Sequence, residues 1–115
     1  MRHVVTEQIT DERPQLVLNT CLKYFQDYCI TKQLLFSNFK SRDLSDARAL
    51  LADQLFGHTR LTDRQIGEIM HLSVSSAYEA RRRALAYNIT DPNFNKMYRE
   101  LERIMKEKLA LLEEK

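Results

Sequence analysis

Apolar residues recur at three- and four-residue steps along most of this chain, and sustained β-branched runs are absent. That period predicts an all-α fold of five or six helices with no sheet. Asp11-Glu12-Arg13-Pro14 opens the first helix, with an acidic start and a Pro tolerated in the first turn. Leu18, Cys21, Leu22, Phe25, Tyr28 and Cys29 then form one apolar stripe, the mark of a helix face turned to a core. Thr31 is placed to cap a short second helix, Lys32 to Ser37, with Leu34, Leu35 and Phe36 packed beneath it. A polar linker, residues 38–44, follows. Ser45 is the expected cap of a third helix whose buried side is Ala47, Leu50, Leu51 and Leu55, and Gly57 its left-handed stop.

The stretch from Leu61 to Leu85 organises the rest. It reads as two helices joined by a tight turn. Thr62, with Gln65 three residues on, has the form of a capping box. Ile66, Ile69 and Met70 give the first helix an apolar face, and Gly67 is small enough for a second helix to cross closely. His71 fills a turn position that often takes Gly, and a regular backbone is expected there because a left-handed one strains a residue with a Cβ. Ser73 caps the second helix. That helix carries Ala77, Ala80 and Ala84 on one side. Ser75, Glu79 and Arg82 point the opposite way at about 100° per residue, with Ser76, Tyr78 and Arg83 flanking them. A helix with a small-residue inner face and a polar, basic outer face suits a DNA major groove; the same pair of helices also serves as plain packing in many all-α proteins. The period fades from Leu85 through Asn88. Thr90-Asp91-Pro92 then starts a long final helix with Phe94, Met97, Tyr98, Leu101, Ile104, Met105, Leu109 and Leu112 inward and mixed charges outward.

With 115 residues and only two Gly and two Pro, the chain has the size of one modest helical domain. Residues 1–10 lack a clear period and are expected to be a tail; residues 11–115 form the domain, with the helix-turn-helix at 61–86. Net charge is +2, too small to argue for nucleic acid by itself. Its distribution is more informative: residues 40–85 hold eight basic side chains against six acidic, while both flanking segments are balanced. Cys21 and Cys29, placed in one helix, lie about 12 Å apart in rise, too far for a mutual disulfide. Reduced thiols, the lack of a signal peptide and the lack of a spanning apolar run point to a cytoplasmic protein with no membrane partner. His3, His58 and His71 are scattered, and no nucleophile–base pair stands out. The expectation is therefore a non-enzyme, with no metal, cofactor or small-molecule substrate.

The run Ile66-Gly67-Glu68-Ile69-Met70-His71-Leu72-Ser73-Val74-Ser75-Ser76-Ala77-Tyr78-Glu79-Ala80 resembles the C-terminal DNA-binding domain of the bacterial replication initiator DnaA. The family pattern has an Ile-Gly start, an apolar residue three further on, a turn, then His, two small hydroxyl residues, an apolar residue and a later small one. Tyr24-to-Leu35 is similar to the family's first helix, Lys40 through Arg48 to its basic loop, and Asp91-to-Leu101 to its closing helix, so the resemblance spans about residues 15 to 105. It implies a Trp-repressor-like helical domain whose recognition helix, about 74–86, enters the major groove. The departures are specific. Where the family carries a basic residue, an acidic residue and His, this chain has Leu72, Ser73 and Val74; the hydroxyl pair survives as Ser75-Ser76. No phosphate-binding Gly-rich loop ending in Lys and Ser/Thr is present. The resemblance thus implies a stand-alone relative, a regulator of transcription or replication in a bacterial or mobile-element genome.

The candidate DNA contacts are Lys40, Arg42, Arg48, Arg60, Ser73, Ser75, Ser76, Glu79, Arg82 and Arg83. The serines sit at a helix start, where free N–H groups favour phosphate. Arg82 faces outward, whereas Arg81 lies near the alanine face and is expected to snorkel or to pair with an acid. Glu79 either accepts from a cytosine amino group or only holds Arg82 in place. Lys40, Arg42 and Arg48 match the family's backbone-tracking loop, and Arg60 flanks the helix pair. The competing reading is a protein-interaction module that no longer reads DNA. It would pair through the final helix with a partner or a second copy, leaving an apolar patch on Leu109, Leu112 and their neighbours.

Overall fold

The computed structural model describes residues 12–113; the expected tail over 1–10 lies outside them. All regular structure within these residues is helical, in six helices: α1 Arg13–Gln26, α2 Lys32–Leu35, α3 Arg42–His58, α4 Asp63–Met70, α5 Val74–Thr90 and α6 Pro92–Glu113. Phe25, Leu51, Ile66, Ala77 and Leu101, the residues expected at the centre, are all fully buried.

Helix α3 is the axis of the fold. It buries Leu44, Ala47, Ala49, Leu50, Leu51, Ala52, Gln54 and Leu55, residues spread over most of its circumference. Every other helix packs against it. Its N-cap is Ser41, not Ser45: the extended Ser41 (φ −156°) accepts from Leu44 N–H at 3.2 Å, and Asp43 supplies the acid of the first turn. At the other end Gly57 is no left-handed stop. The helix runs through it to His58, no glycine has positive φ, and extended Thr59 ends the helix.

Helix α1 also ends differently from the stripe. It stops at Gln26; Cys29 takes a left-handed backbone (φ 61°), and buried Ile30 donates back to the Phe25 carbonyl at 3.1 Å. Tyr28 and Cys29 are therefore exposed, and Val17, Thr20 and Tyr24 complete the buried face. Both cysteines are free, yet the shared-helix reason for keeping them apart does not apply. Burial, with the Asp53 charge adding to it, pushes the Cys21 thiol far above its ordinary range, which makes it inert. In α2 only Leu35 is buried, and Leu34 points outward.

Helix α5 continues four residues beyond the expected end at residue 86. Polar and aromatic contacts hold that extension where the apolar period gives out. Tyr87 meets Phe94 edge-on with ring centroids 5.7 Å apart, and Asn95 donates to the Asn88 side chain at 2.7 Å. Asp91 alone separates α5 from α6; its carboxylate accepts from the Asn93 and Phe94 N–H groups, and Pro92 takes the first helical position.

Under α3 and α6 lies a polar cluster. Glu102 Oε1 accepts from Gln54 Nε2 and from His58 Nε2, each at 2.9 Å. Burial raises the Glu102 carboxyl, but these hydrogen bonds and the His58 and Lys106 charges outweigh it and leave it below the usual glutamate range.

Two outcomes test this packing. A Cβ on Gly57 meets nothing, so Gly57→Ala is expected to stabilise by up to about 1 kcal/mol through helix propensity. At Gly67 a Cβ would stand 2.6 Å from the Leu72 carbonyl oxygen, so Gly67→Ala is expected to lose about 1–3 kcal/mol despite that same propensity. Denaturant melts of both variants measure the opposite signs. Hydrogen bonds to a charged group contribute about 1.5–3 kcal/mol and neutral ones about 1, so Glu102→Gln is expected to cost roughly 1 kcal/mol at neutral pH. The depressed carboxyl contributes stability above its unfolded pKa and loses it as pH falls through the folded value. The gap between wild type and Glu102→Gln should therefore begin to close as pH falls through about 4, the unfolded glutamate range, and vanish only below the lower folded value, in melts run across pH.

Candidate nucleic-acid interface

The turn between α4 and α5 is three residues, His71 to Ser73. Its geometry starts with the caps. Thr62 Oγ1 accepts from Gln65 N–H at 3.2 Å and Gln65 Oε1 accepts from Thr62 N–H at 2.9 Å, the reciprocal box the sequence predicts. His71 does take the left-handed backbone (φ 60°, ψ 41°), contrary to the expected regular turn. Two hydrogen bonds and a ring contact hold it there: the His71 and Leu72 N–H groups both donate to the Gly67 carbonyl, and the His71 ring lies 5.5 Å from that of Phe36. The same fold-back explains Gly67. The close approach is the turn's own backbone, the Leu72 and Ser73 carbonyls, rather than the crossing of the second helix.

Ser73 then caps α5, accepting from Ser76 N–H at 3.1 Å and donating to Ser76 Oγ at 3.0 Å. Ala77, Ala80 and Ala84 are buried, so the α5 backbone lies close against its neighbours α3 and α4. Arg81 fixes its rotation. Its guanidinium makes two hydrogen bonds of 3.1 Å to the Asp63 carboxylate at the start of α4 and lies 3.8 Å over the Phe56 ring at the end of α3. The expected pairing of Arg81 with an acid is present.

This arrangement opens a cleft of about 570 Å³ between the start of α3 and the first turns of α5, lined by Lys40, Ser41, Ser45, Arg48, Leu72, Ser75, Ser76, Glu79, Ala80 and Arg83. Two 17-residue helices present their N-terminal ends to it, and each end carries the positive pole of its helix dipole. Six of the candidate contacts, Lys40, Arg48, Ser75, Ser76, Glu79 and Arg83, meet here although loop 36–41 and α5 are far apart in sequence. Ser41 was not among the candidates. Its signal was an Asp two residues on, the acidic first turn of the helix it caps. The surface is a depression rather than the convex face a recognition helix alone would make.

The cations divide into two groups. Arg48 is bound into the fold: its guanidinium donates to the carbonyls of Leu34, Leu35, Ser37 and Phe39 at 2.8–3.2 Å, closing the loop that carries Lys40. Desolvation lowers its pKa, and nothing anionic offsets that. Arg42 bonds Asp46 at 3.2 Å and Asp91 at 2.7 Å and lies over Tyr87, tying the start of α3 to the α5–α6 junction. Lys40, Arg60, Arg64, Arg82 and Arg83 form no ion pair among the described residues, though Arg82 leans over the Tyr78 ring at 5.9 Å. Arg60 stands apart. It follows the far end of α3, about 25 Å along that helix from the cleft, beside His58 and Leu109.

The apolar surface that the interaction reading expects is only partly open on α6. Leu109 and Leu112 are half-buried, whereas Leu111 on α6 and Leu85 and Ile89 on α5 are exposed. Among the described residues no cluster of three or more His, Cys, Asp or Glu could hold a metal, and no helix is long and apolar enough to cross a membrane. No protein-family description, curated sequence or solved structure matches this chain.

Arg48→Ala should release four carbonyls and loosen the loop. Only the Leu35 bond is part-buried and water can take over the other three, so the cost should be about 1 kcal/mol. Hydrogen exchange of the amides over residues 36–41 should accelerate in that variant while those of α6 stay protected to the lowered global limit.

Proposed function

We propose that this protein binds double-stranded DNA, with the N-terminal half of α5 in the major groove and the Lys40 loop along the phosphate backbone. The observation that carries the reading is the sorting of charge around the cleft. Arg42, Arg48 and Arg81 are engaged by the fold, while Lys40 and Arg83 remain unpaired among the described residues in the cleft with Ser75 and Ser76, and unpaired Arg82 lies two turns beyond Ser75 on the same helix face, outside the cleft lining. Free cations beside two helix N-termini suit phosphate, and short hydroxyls approach a base edge or phosphate without filling the groove. The resemblance of residues 66–80 to the DnaA C-terminal domain supports the same placement of α5 and a Trp-repressor-like classification, with a regulator of transcription or replication as the role. Arg48 then acts by holding the loop, Arg42 by tying the start of α3 to the α5–α6 junction, Ser73 by capping, and Arg60 lies outside the contact.

The cluster is small and Glu79 stands within it, so affinity should be modest and should fall with salt. Duplexes selected from a random pool, with a scrambled control, provide the ligands for titration. Arg82→Ala is expected to lose about 1–3 kcal/mol on the selected duplex alone if its guanidinium reads a guanine edge, or to weaken all sequences alike if it meets phosphate. Lys40→Ala should weaken all sequences alike and flatten the salt slope. Arg103→Ala is the control, since Arg103 lies on the outer face of α6 beside exposed Glu107. Equal weak binding by wild type and all three variants to both duplexes would reject the reading in favour of the interaction module.

A further inference from the structure

An exposed carboxylate in a cleft meant for phosphates is an anomaly. Glu79 lines the cleft between Ser75, Ser76 and Arg83, and its charge opposes the polyanion that the proposed function brings there. A structural use for it is lacking. Glu79 precedes Arg83 by four residues, the favourable order for a helical ion pair, yet no such pair forms, and Glu79 bonds to nothing among the described residues. Nor does it hold Arg82, whose guanidinium lies over Tyr78 instead. The carboxylate of Glu79 is thus presented, unpaired, at the second turn of α5.

We infer that Glu79 is a specificity-determining residue that selects cytosine at one position of the DNA site. This rests on the DNA-binding reading above. An ionised carboxylate only accepts hydrogen bonds, and the major groove offers two amino donors, N4 of cytosine and N6 of adenine. Adenine carries the N7 acceptor beside its amino group, which would face the second carboxylate oxygen. Cytosine carries no acceptor on its own groove edge, so it accommodates both oxygens. At every other base the carboxylate is desolvated against acceptors or a methyl group. The residue therefore works largely by rejection, weakening binding to non-cognate sequence while leaving cognate sequence intact.

The test is selection from a random duplex pool by wild type, Glu79→Gln and Glu79→Ala, followed by titration on the selected sites and on a scrambled duplex. Glu79 is exposed on α5, so both variants are expected to keep the wild-type melting behaviour. Wild type should fix cytosine at one position and lose about 5- to 100-fold when that base pair is changed. Glu79→Gln should shift that position to adenine, whose N6 and N7 pair with an amide. Glu79→Ala should accept any base there and bind the scrambled duplex more tightly than wild type does. Retention of every cytosine in the motif by both variants overturns the inference and leaves DNA binding standing. Failure of the wild type to enrich or bind any duplex overturns both.

Discussion

Burial of α3 on nearly all sides is the constraint from which the rest of the architecture follows. A helix that buries Leu44, Leu50, Leu51, Leu55 and three alanines between them has only a narrow polar strip, Arg42, Asp46 and Asp53, to give to water. The other helices must therefore surround it, and each needs only one apolar stripe of its own. Small residues set the distances. Ala77, Ala80 and Ala84 let α5 lie close to the axis, and residues from the starts of α5 and α3 line one cleft. The cleft exists because those two helix starts meet.

Charged side chains then lock the positions that apolar packing leaves loose. Hydrophobic contact is non-directional, so a helix with an alanine face can still slide or rotate. Arg81 removes that freedom for α5 by pairing with Asp63 on α4 and stacking on Phe56 of α3. Arg42 does the same for the α5–α6 junction through Asp91, and Arg48 for loop 36–41 through four carbonyls. These three arginines are drawn from the basic excess of the middle segment. Of the cations that remain unpaired, Lys40 and Arg83 stand beside Ser75 and Ser76, and that placement turns a weak compositional bias into a local one.

Helix α5 changes character along its length. Its first two turns are polar and face the cleft; further on, Leu85 and Ile89 stand exposed although the helix is held from beneath by Tyr87 and Asn88. Net charge over such a chain is a poor guide to contact with a polyanion, because the charges that build the fold and those that face outward cancel in the sum.

Local rules made much of this legible from the chain alone. The Thr62–Gln65 box, the Ser73 cap, the Asp91-Pro92 start and the inward faces of α3, α5 and α6 depend on residues within one or two turns of each other, and there the expected geometry is found. Errors arose where a local signal competed with a distant one. Gly57 looked like a stop, but nothing in the packing needs a left-handed residue there. His71 looked unsuited to a left-handed turn, but the Gly67 carbonyl and the Phe36 ring hold it in one. Cys29 extended an apolar stripe that the turn back to Ile30 cuts short. Most of all, the sequence named ten candidate contacts without saying which were free. Whether an arginine reaches outward depends on which carboxylates and carbonyls the fold places beside it; Arg42 has Asp46 one turn on but also Asp91 49 residues away, and the nearest carbonyl that Arg48 bonds is nine residues back. The sequence by itself determined that the fold is helical, the caps at Thr31, Thr62 and Ser73, and most of the buried faces, because these depend on neighbours within a turn or two. Only the tertiary structure decided which charges were left over, because pairing depends on distances that no local pattern encodes.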